Sequence, residues 1–155
     1  MATKNKKVTP EHRNAKAGRD YFLEQKFEAG VVLTGTEIKA IRQGKINLAD
    51  SFVRIEREIP ILYHMHISEY DFGNQNNHNP YRPRRLLLHK REIHKIIGEV
   101  QSGGYTIVPT RLYFRGALAK VEIAIAKGKQ HQDKRQDLKK RDDDREIRRA
   151  IRRRF

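Results

Sequence analysis

The stretch Phe27–Lys45 constrains the fold of this chain more than any other. It opens as a β-branched apolar run, Val31–Leu33, and turns directly into a short helix. Thr34 and Glu37 have the spacing of a capping box. The hydroxyl accepts from a free backbone N–H of the first turn, and the carboxylate reaches back to the N–H of the cap. Ile38 and Ile41 give the helix one apolar stripe, and Gly44 supplies a left-handed stop. A strand that feeds a capped, one-sided helix requires a surface for that helix to cover. Read blandly, it is a structural corner. Glu28 and Lys39, polar groups at its two ends, make it a candidate site as well.

The rest of the body reads mostly as strands. Asp20–Leu33 begins with the loose alternation of a strand. Ile46–Glu58 alternates through Phe52, Arg54 and Glu56 against Val53, Ile55 and Arg57. Pro60 sits at the start of the next run, where a missing N–H does least harm. Ile61–Ile67 reads as a strand with Ile61, Tyr63, Met65 and Ile67 on one face. Asp71–Arg85, rich in Asn, Gly and Pro, is a loop. It closes on the basic cluster Tyr81-Arg82-Pro83-Arg84-Arg85, which can grip a sugar–phosphate backbone and stack a base. Leu86–Leu88 enters a helix whose Ile93, Ile96, Ile97 and Val100 fall on one face, opposite Lys90, Arg91, His94 and Lys95. Tyr105–Lys127 reads as two long strands around a turn at Gly116. Five or six strands with two short helices and no βαβ rhythm predict a mainly β fold with short α-helices. The expected architecture is a small antiparallel barrel of the oligonucleotide-binding (OB-like) type, closed so that no long edge is left bare, with flanking helices and a basic C-terminal tail.

Charge divides the chain into three. Residues 1–19 hold six Lys/Arg against one Glu, residues 20–126 fifteen against twelve Asp/Glu, and residues 127–155 thirteen against six. The sequence therefore predicts a flexible basic arm over 1–19, an OB-like domain over 20–126 and a basic tail over 127–155. Basic ends on a nearly balanced body point to a polyanion, nucleic acid before any other. The tail has too few large apolar residues to fold alone. Its acid-first pairs Asp137/Arg141 and Asp144/Arg148, with Ile147 and Ile151 at the same spacing, predict a helix formed in a polyanionic channel.

Enzyme chemistry is not legible. There is no phosphate-cradling glycine loop, nucleophile elbow or His-Glu-x-x-His pair. His64 and His66, two apart on a strand, lack further ligands and are read as exposed or RNA-facing rather than metal-binding. A nuclease built on an acid–base pair remote in sequence is the enzymatic alternative. The absence of Cys excludes disulfides and thiolate metal sites and suits a reducing cytoplasm. The N-terminus lacks a signal peptide's apolar segment, and no run approaches the roughly 20 apolar residues of a membrane span.

Several blocks in one order carry a family resemblance. They are Phe27-Glu28-Ala29-Gly30, Gly35-Thr36-Glu37-Ile38-Lys39, Asp50-Ser51-Phe52-Val53, Arg85-Leu86-Leu87-Leu88-His89, Ala126-Lys127-Gly128-Lys129 and Asp133-Lys134-Arg135. Over nearly its whole length the chain resembles the small protein B family, the SsrA-binding proteins of bacteria. The resemblance implies an OB-type barrel, without enzymatic activity or cofactor, that holds the tRNA-like domain of transfer-messenger RNA (tmRNA) in trans-translation. It also implies a cytoplasmic monomer that meets the small ribosomal subunit at its decoding site and mRNA channel, and elongation factor Tu indirectly through the RNA. By position it ties Glu28, Leu87 and His89 to RNA binding, and Gly35, Thr36, Lys39, Arg85, Lys90, Arg91, Lys127 and Lys129 are expected to bind RNA beside them. The tail residues it implies are Gly128, Asp133, Lys134, Arg135, Ile147 and Ile151.

Three departures stand out. Ala15 and Gly18-Arg19 replace expected basic residues and a His. Gln130 stands where a second Lys is usual, and Gln132 where a stacking ring is usual. The rival reading from another class is a structural ribosomal protein with basic extensions.

Overall fold

The computed structural model describes residues 11–129. Gln130, Gln132 and the expected tail residues Asp133, Lys134, Arg135, Ile147 and Ile151 lie outside the described residues, as do residues 1–10. The elements in order are β1 (His12–Arg13), α1 (Ala15–Asp20), β2 (Tyr21–Val31), α2 (Gly35–Arg42), β3 (Ile46–Asn47), β4 (Phe52–Glu56), β5 (Ile59–Tyr63), β6 (His66–Ile67), β7 (Arg84–Leu87), α3 (Lys90–Val100), β8 (Tyr105–Arg115) and β9 (Leu118–Gly128). A short 3-10 turn spans Asn74–Asn76.

Hydrogen-bonded neighbours run β8-β4-β5-β7-β2-β9, and β9 returns to β8. Every pairing is antiparallel, and the six strands close on themselves. Strands that bury only one face read as alternating polar and apolar residues, and closure satisfies their edges. β8 and β9 form the long hairpin expected from the sequence, turning at Gly116, whose φ of 60° suits glycine. Their ladder shifts register between Pro109 and Arg111, where proline has no N–H to give. β1 joins β8 beside that irregularity, and Asn14 ties it down through Nδ2 to the carbonyls of Pro109 (2.9 Å) and Leu48 (3.1 Å).

The interior of the ring is filled by inward-pointing Ala29, Val31, Leu62, Leu86, Leu112, Val121, Ile123 and Ile125. Ile41 of α2 and Ile96 of α3 insert into the same cluster. Each of the Val, Leu and Ile side chains among them contributes roughly 1.5–3 kcal/mol by leaving water. α3 places Ile93 and Ile96 inward and Lys90, Arg91, His94 and Lys95 in solvent, as its periodicity predicts.

Three expectations change. Residues 12–20 are not an arm beside the fold: β1 pairs with β8, and α1, capped by Asn14, buries Ala17. The long strand expected over Ile46–Glu58 is two strands split by a turn at Asp50 (φ 63°), with β3 paired to β6 in a separate two-stranded sheet. The strand expected over Ile61–Ile67 breaks at His64 (φ 62°). Pro60 and Leu62 point inward before the break and Met65 and Ile67 after it, because one left-handed residue reverses the phase of a period-two pattern.

Candidate nucleic-acid interface

The corner from β2 into α2 is built as its sequence dictates. Glu37 N–H donates to Thr34 Oγ1 (3.4 Å), and Thr34 N–H donates to the Glu37 carboxylate (2.9 Å). Gly44 takes up the left-handed stop at φ 78°. Glu37 does far more than cap. It is fully buried between Arg84, also fully buried, at 2.6 Å and Arg82 at 2.5 Å. Arg84 further donates to the carbonyls of Met65 and Pro80. Burial pushes the Glu37 carboxyl up, but the hydrogen bonds from Arg82 and the Thr34 N–H and the charge of Arg84 outweigh it and hold it below its ordinary value.

The basic cluster Tyr81–Arg85 is therefore not an open grip on a backbone. Arg84 is committed to the interior, and Arg82 spans the Glu37 carboxylate and the Val32 carbonyl (3.4 Å). His78 is buried as well. Its Nε2 meets the Ile67 carbonyl at 2.8 Å and its Nδ1 the Thr36 hydroxyl at 3.0 Å. A carbonyl only accepts, so Nε2 donates to it, and in the neutral ring Nδ1 then accepts from the Thr36 hydroxyl. The loop over residues 71–83 is pinned onto α2 by these contacts.

On the outer side of the same corner lies a groove of about 620 Å³. Glu28, Leu87 and His89, three of the expected RNA-binding residues, line it together. β2 and β7 pair Gly30 with Leu87, and a Cβ on Gly30 would stand 3.3 Å from that of Leu87, so glycine lets the two strands' outer surfaces meet. Leu87, Val32 and Leu118 are exposed apolar groups on the rim, and Lys120 lines it too. His89 precedes α3, whose Glu92 accepts its N–H at 3.4 Å. Lys90 and Arg91 follow in the exposed first turn, and Arg85 is exposed on β7, two residues from Leu87 on the same face. Glu28 receives the Tyr113 hydroxyl, and Arg115 Nη2 lies 3.3 Å from the same oxygen. Burial first and then the Glu28 carboxylate push the Tyr113 phenol up to about 12.

The other expected residues fall elsewhere. Gly35, Thr36 and Lys39 belong to α2. The Thr36 hydroxyl is held by His78, and Lys39 lies 5.5 Å over the Tyr70 ring. Lys127, Gly128 and Lys129 sit at the far end of β9, about 23 Å of strand from Lys120. There Lys129 donates its N–H to the Asp20 carbonyl at 2.9 Å and lies over Phe22. His64 and His66 each meet a ring, Phe52 and Tyr81 respectively, and no metal-binding group of three His, Asp or Glu occurs among the described residues. Sequence reasoning missed Tyr113, Arg115 and Lys120. The alternation of β8, which buries Leu112 and Phe114 and turns Arg111, Tyr113 and Arg115 outward, was the available signal.

A closed antiparallel barrel with helices packed on it, a mostly apolar groove whose charged lining is Glu28, Glu92 and Lys120, and a large excess of basic residues over the whole chain together define a small barrel of the oligonucleotide-binding kind. The sequence model of the SmpB protein family matches residues 11–153, and the chain belongs to that family. The SsrA-binding protein of Shouchella clausii is 56% identical over 143 residues, 92% of each chain. That of Geobacillus kaustophilus is 54% identical over 142 residues, again 92% of each, and that of Geobacter metallireducens 53% over 141 residues, 91% of this chain and 92% of the other. A chain in a solved structure described as "tmRNA-SmpB: a journey to the center of the bacterial ribosome" superposes with a TM-score of 0.66 at 38% identity, covering 80% of this chain and 86% of that one.

Proposed function

We propose that this protein binds the tRNA-like domain of tmRNA and delivers it to stalled ribosomes for trans-translation. Its role is binding, without a catalytic step or cofactor. It works in the bacterial cytoplasm as a monomer, with elongation factor Tu joined through the RNA. No described helix is long and apolar enough to cross a membrane. The observation that carries the reading is the groove, where Glu28 of β2 and Leu87 of β7 meet His89, the cap of α3, beside Lys120, with Lys90 and Arg91 exposed in the first turn of α3. Cations attract the phosphates, and an exposed leucine gives base or ribose an apolar surface.

The segment beyond Lys129 carries Asp133, Lys134, Arg135, Ile147 and Ile151 and is proposed to probe the empty mRNA channel next to the decoding site. Lys127, Gly128 and Lys129, remote from the groove, form its root and serve that half of the function.

One experiment tests both halves. The affinity of the full chain for the isolated tRNA-like domain is compared with that for an elongator tRNA at physiological salt. The expected preference is about 100-fold, roughly 2.8 kcal/mol. A chain ending at Lys129 should keep that preference and lose tagging of stalled peptides. Equal, steeply salt-dependent binding of both RNAs would mean that charge alone drives binding, and normal tagging by the shortened chain would remove the tail from the mechanism.

A further inference from the structure

An acid at the rim of an RNA groove is paradoxical, because a polyanion repels it. The surroundings of Glu28 resolve the paradox. Glu28 lies directly across the β2–β9 ladder from Glu122, a like-charge pair that costs stability unless each member is compensated. Glu122 is taken by Arg111 and by Lys26 at 3.7 Å. Glu28 is taken by Tyr113 and Arg115, both on its Oε2. The ring of Tyr113 is held in turn by Arg111, whose guanidinium carbon lies 4.7 Å from the ring centroid and which is anchored by Glu11 as well (3.1 Å). Two donors therefore converge on one oxygen of the carboxylate, and the group lines the groove. An oriented carboxylate accepts hydrogen bonds only, so its partner on RNA is a donor: an exocyclic amine, a ring N–H or a ribose 2′-hydroxyl.

We infer that Tyr113 and Arg115 are positioning residues that fix the Glu28 carboxylate so that its other oxygen, Oε1, accepts a hydrogen bond from a base or ribose donor of the bound RNA. Glu28 is then a specificity element rather than an affinity element: it rewards a donor at one place and repels the backbone elsewhere. Arg115, largely exposed, compensates the negative charge that the groove would otherwise present to phosphates. The inference rests on the reading of this groove as the RNA site.

The test is a double-mutant cycle in the full chain, read as affinity for the isolated tRNA-like domain at physiological salt. Glu28→Ala should weaken binding about 10-fold, or 1.4 kcal/mol. Tyr113→Phe, which keeps the ring and removes only the hydroxyl, should weaken it several-fold. The combined variant should be no weaker than Glu28→Ala, because Tyr113 acts through Glu28. The dependence on log salt should keep its slope in Tyr113→Phe, which alters no charge, whereas loss of a direct phosphate contact would flatten it. Should Tyr113→Phe fold poorly, Arg115→Gln on the exposed surface replaces it, with a smaller loss that also vanishes in the Glu28→Ala background. Wild-type affinity in the hydroxyl variant, or losses that multiply in the combined variant, would overturn the positioning role while leaving the groove as the RNA site. Undiminished binding by Glu28→Ala, with the preference for the tRNA-like domain intact, would overturn the groove reading and this inference together.

Discussion

Glu28 and Glu37 lie nine residues apart on the two sides of one strand–helix corner, and the same side chain does opposite work in them. Glu37 is sealed between two guanidiniums, ties the N-terminus of α2 to β7 and the loop before it, and has no access to a ligand. Glu28 is partly exposed, shares its charge with a phenol and a surface arginine, and opens on a groove. A buried charge with a full set of partners reports on folding, and a surface charge held in one orientation reports on recognition. The two can be separated by measuring stability and RNA affinity on the same variants.

The largest expected effect is on the buried side. Glu37→Ala leaves Arg84 charged, fully buried and without its carboxylate, and removes the cap contact to Thr34. Breaking such a pair from one side costs about 3–5 kcal/mol. Denaturant unfolding should show that loss, whereas Glu28→Ala should leave the midpoint nearly unchanged while weakening RNA binding. If Glu37→Ala unfolded at the wild-type midpoint, the buried pair would have no structural weight and the contrast between the two acids would fail.

His78 extends the buried side and should give an intermediate effect. Its ring links α2 through Thr36 to β6 through Ile67, so His78→Ala removes the ring's bond to the Ile67 carbonyl, unties the Thr36 hydroxyl from the loop and leaves a void. About 1–3 kcal/mol is expected for the lost buried hydrogen bond. RNA affinity per folded molecule should change little, because the groove lies on the other side of the corner. An affinity loss matching that of Glu28→Ala would mean that the pinned loop shapes the groove, and the separation into two regions would have to be redrawn.

What was legible follows from the range over which each signal acts. The capping box, the Gly44 stop, the apolar face of α3 and the β8–β9 hairpin are set by residues three to a few positions apart, and the structure has all of them. The pairing of Glu37 with Arg84, 47 residues on, left no local trace except one: Arg84 is in phase with the inward-pointing Leu86, where an unpaired arginine would not be tolerated. In a run of three arginines interrupted by a proline, that phase was masked by the look of a basic surface. The break at His64 was missed because a single left-handed residue carries no compositional mark when it is not glycine. On the site, the family blocks pointed to Glu28, Leu87 and His89, and the ring closure brings them together. Tyr113 and Arg115 reach Glu28 across an intervening strand, a relation that exists only after β2, β9 and β8 pair.

The smallest effect is the dependence of the buried side on pH, and its sign is fixed by the pairing. The arginines and the Thr34 N–H hold the Glu37 carboxyl below its ordinary value of 4.5, so the folded state binds that proton less readily than the unfolded chain. The stabilisation from ionised Glu37 is complete above about pH 4.5 and fades as the pH falls through the lower folded value, with a slope of at most about 1.4 kcal/mol per pH unit for one proton. Other carboxylates share this behaviour, Glu11 beside Arg111 among them, so the acid limb of the wild type alone does not isolate Glu37. The stability difference between wild type and Glu37→Gln does. Glutamine cannot ionise, so the difference should be constant near neutral pH and narrow below pH 4.5 as the wild type loses the charge that the variant never had. A difference that stays level into acid would mean that Arg84 is satisfied by the carbonyls of Met65 and Pro80, and that Glu37 serves the corner by its shape and hydrogen bonds rather than by its charge.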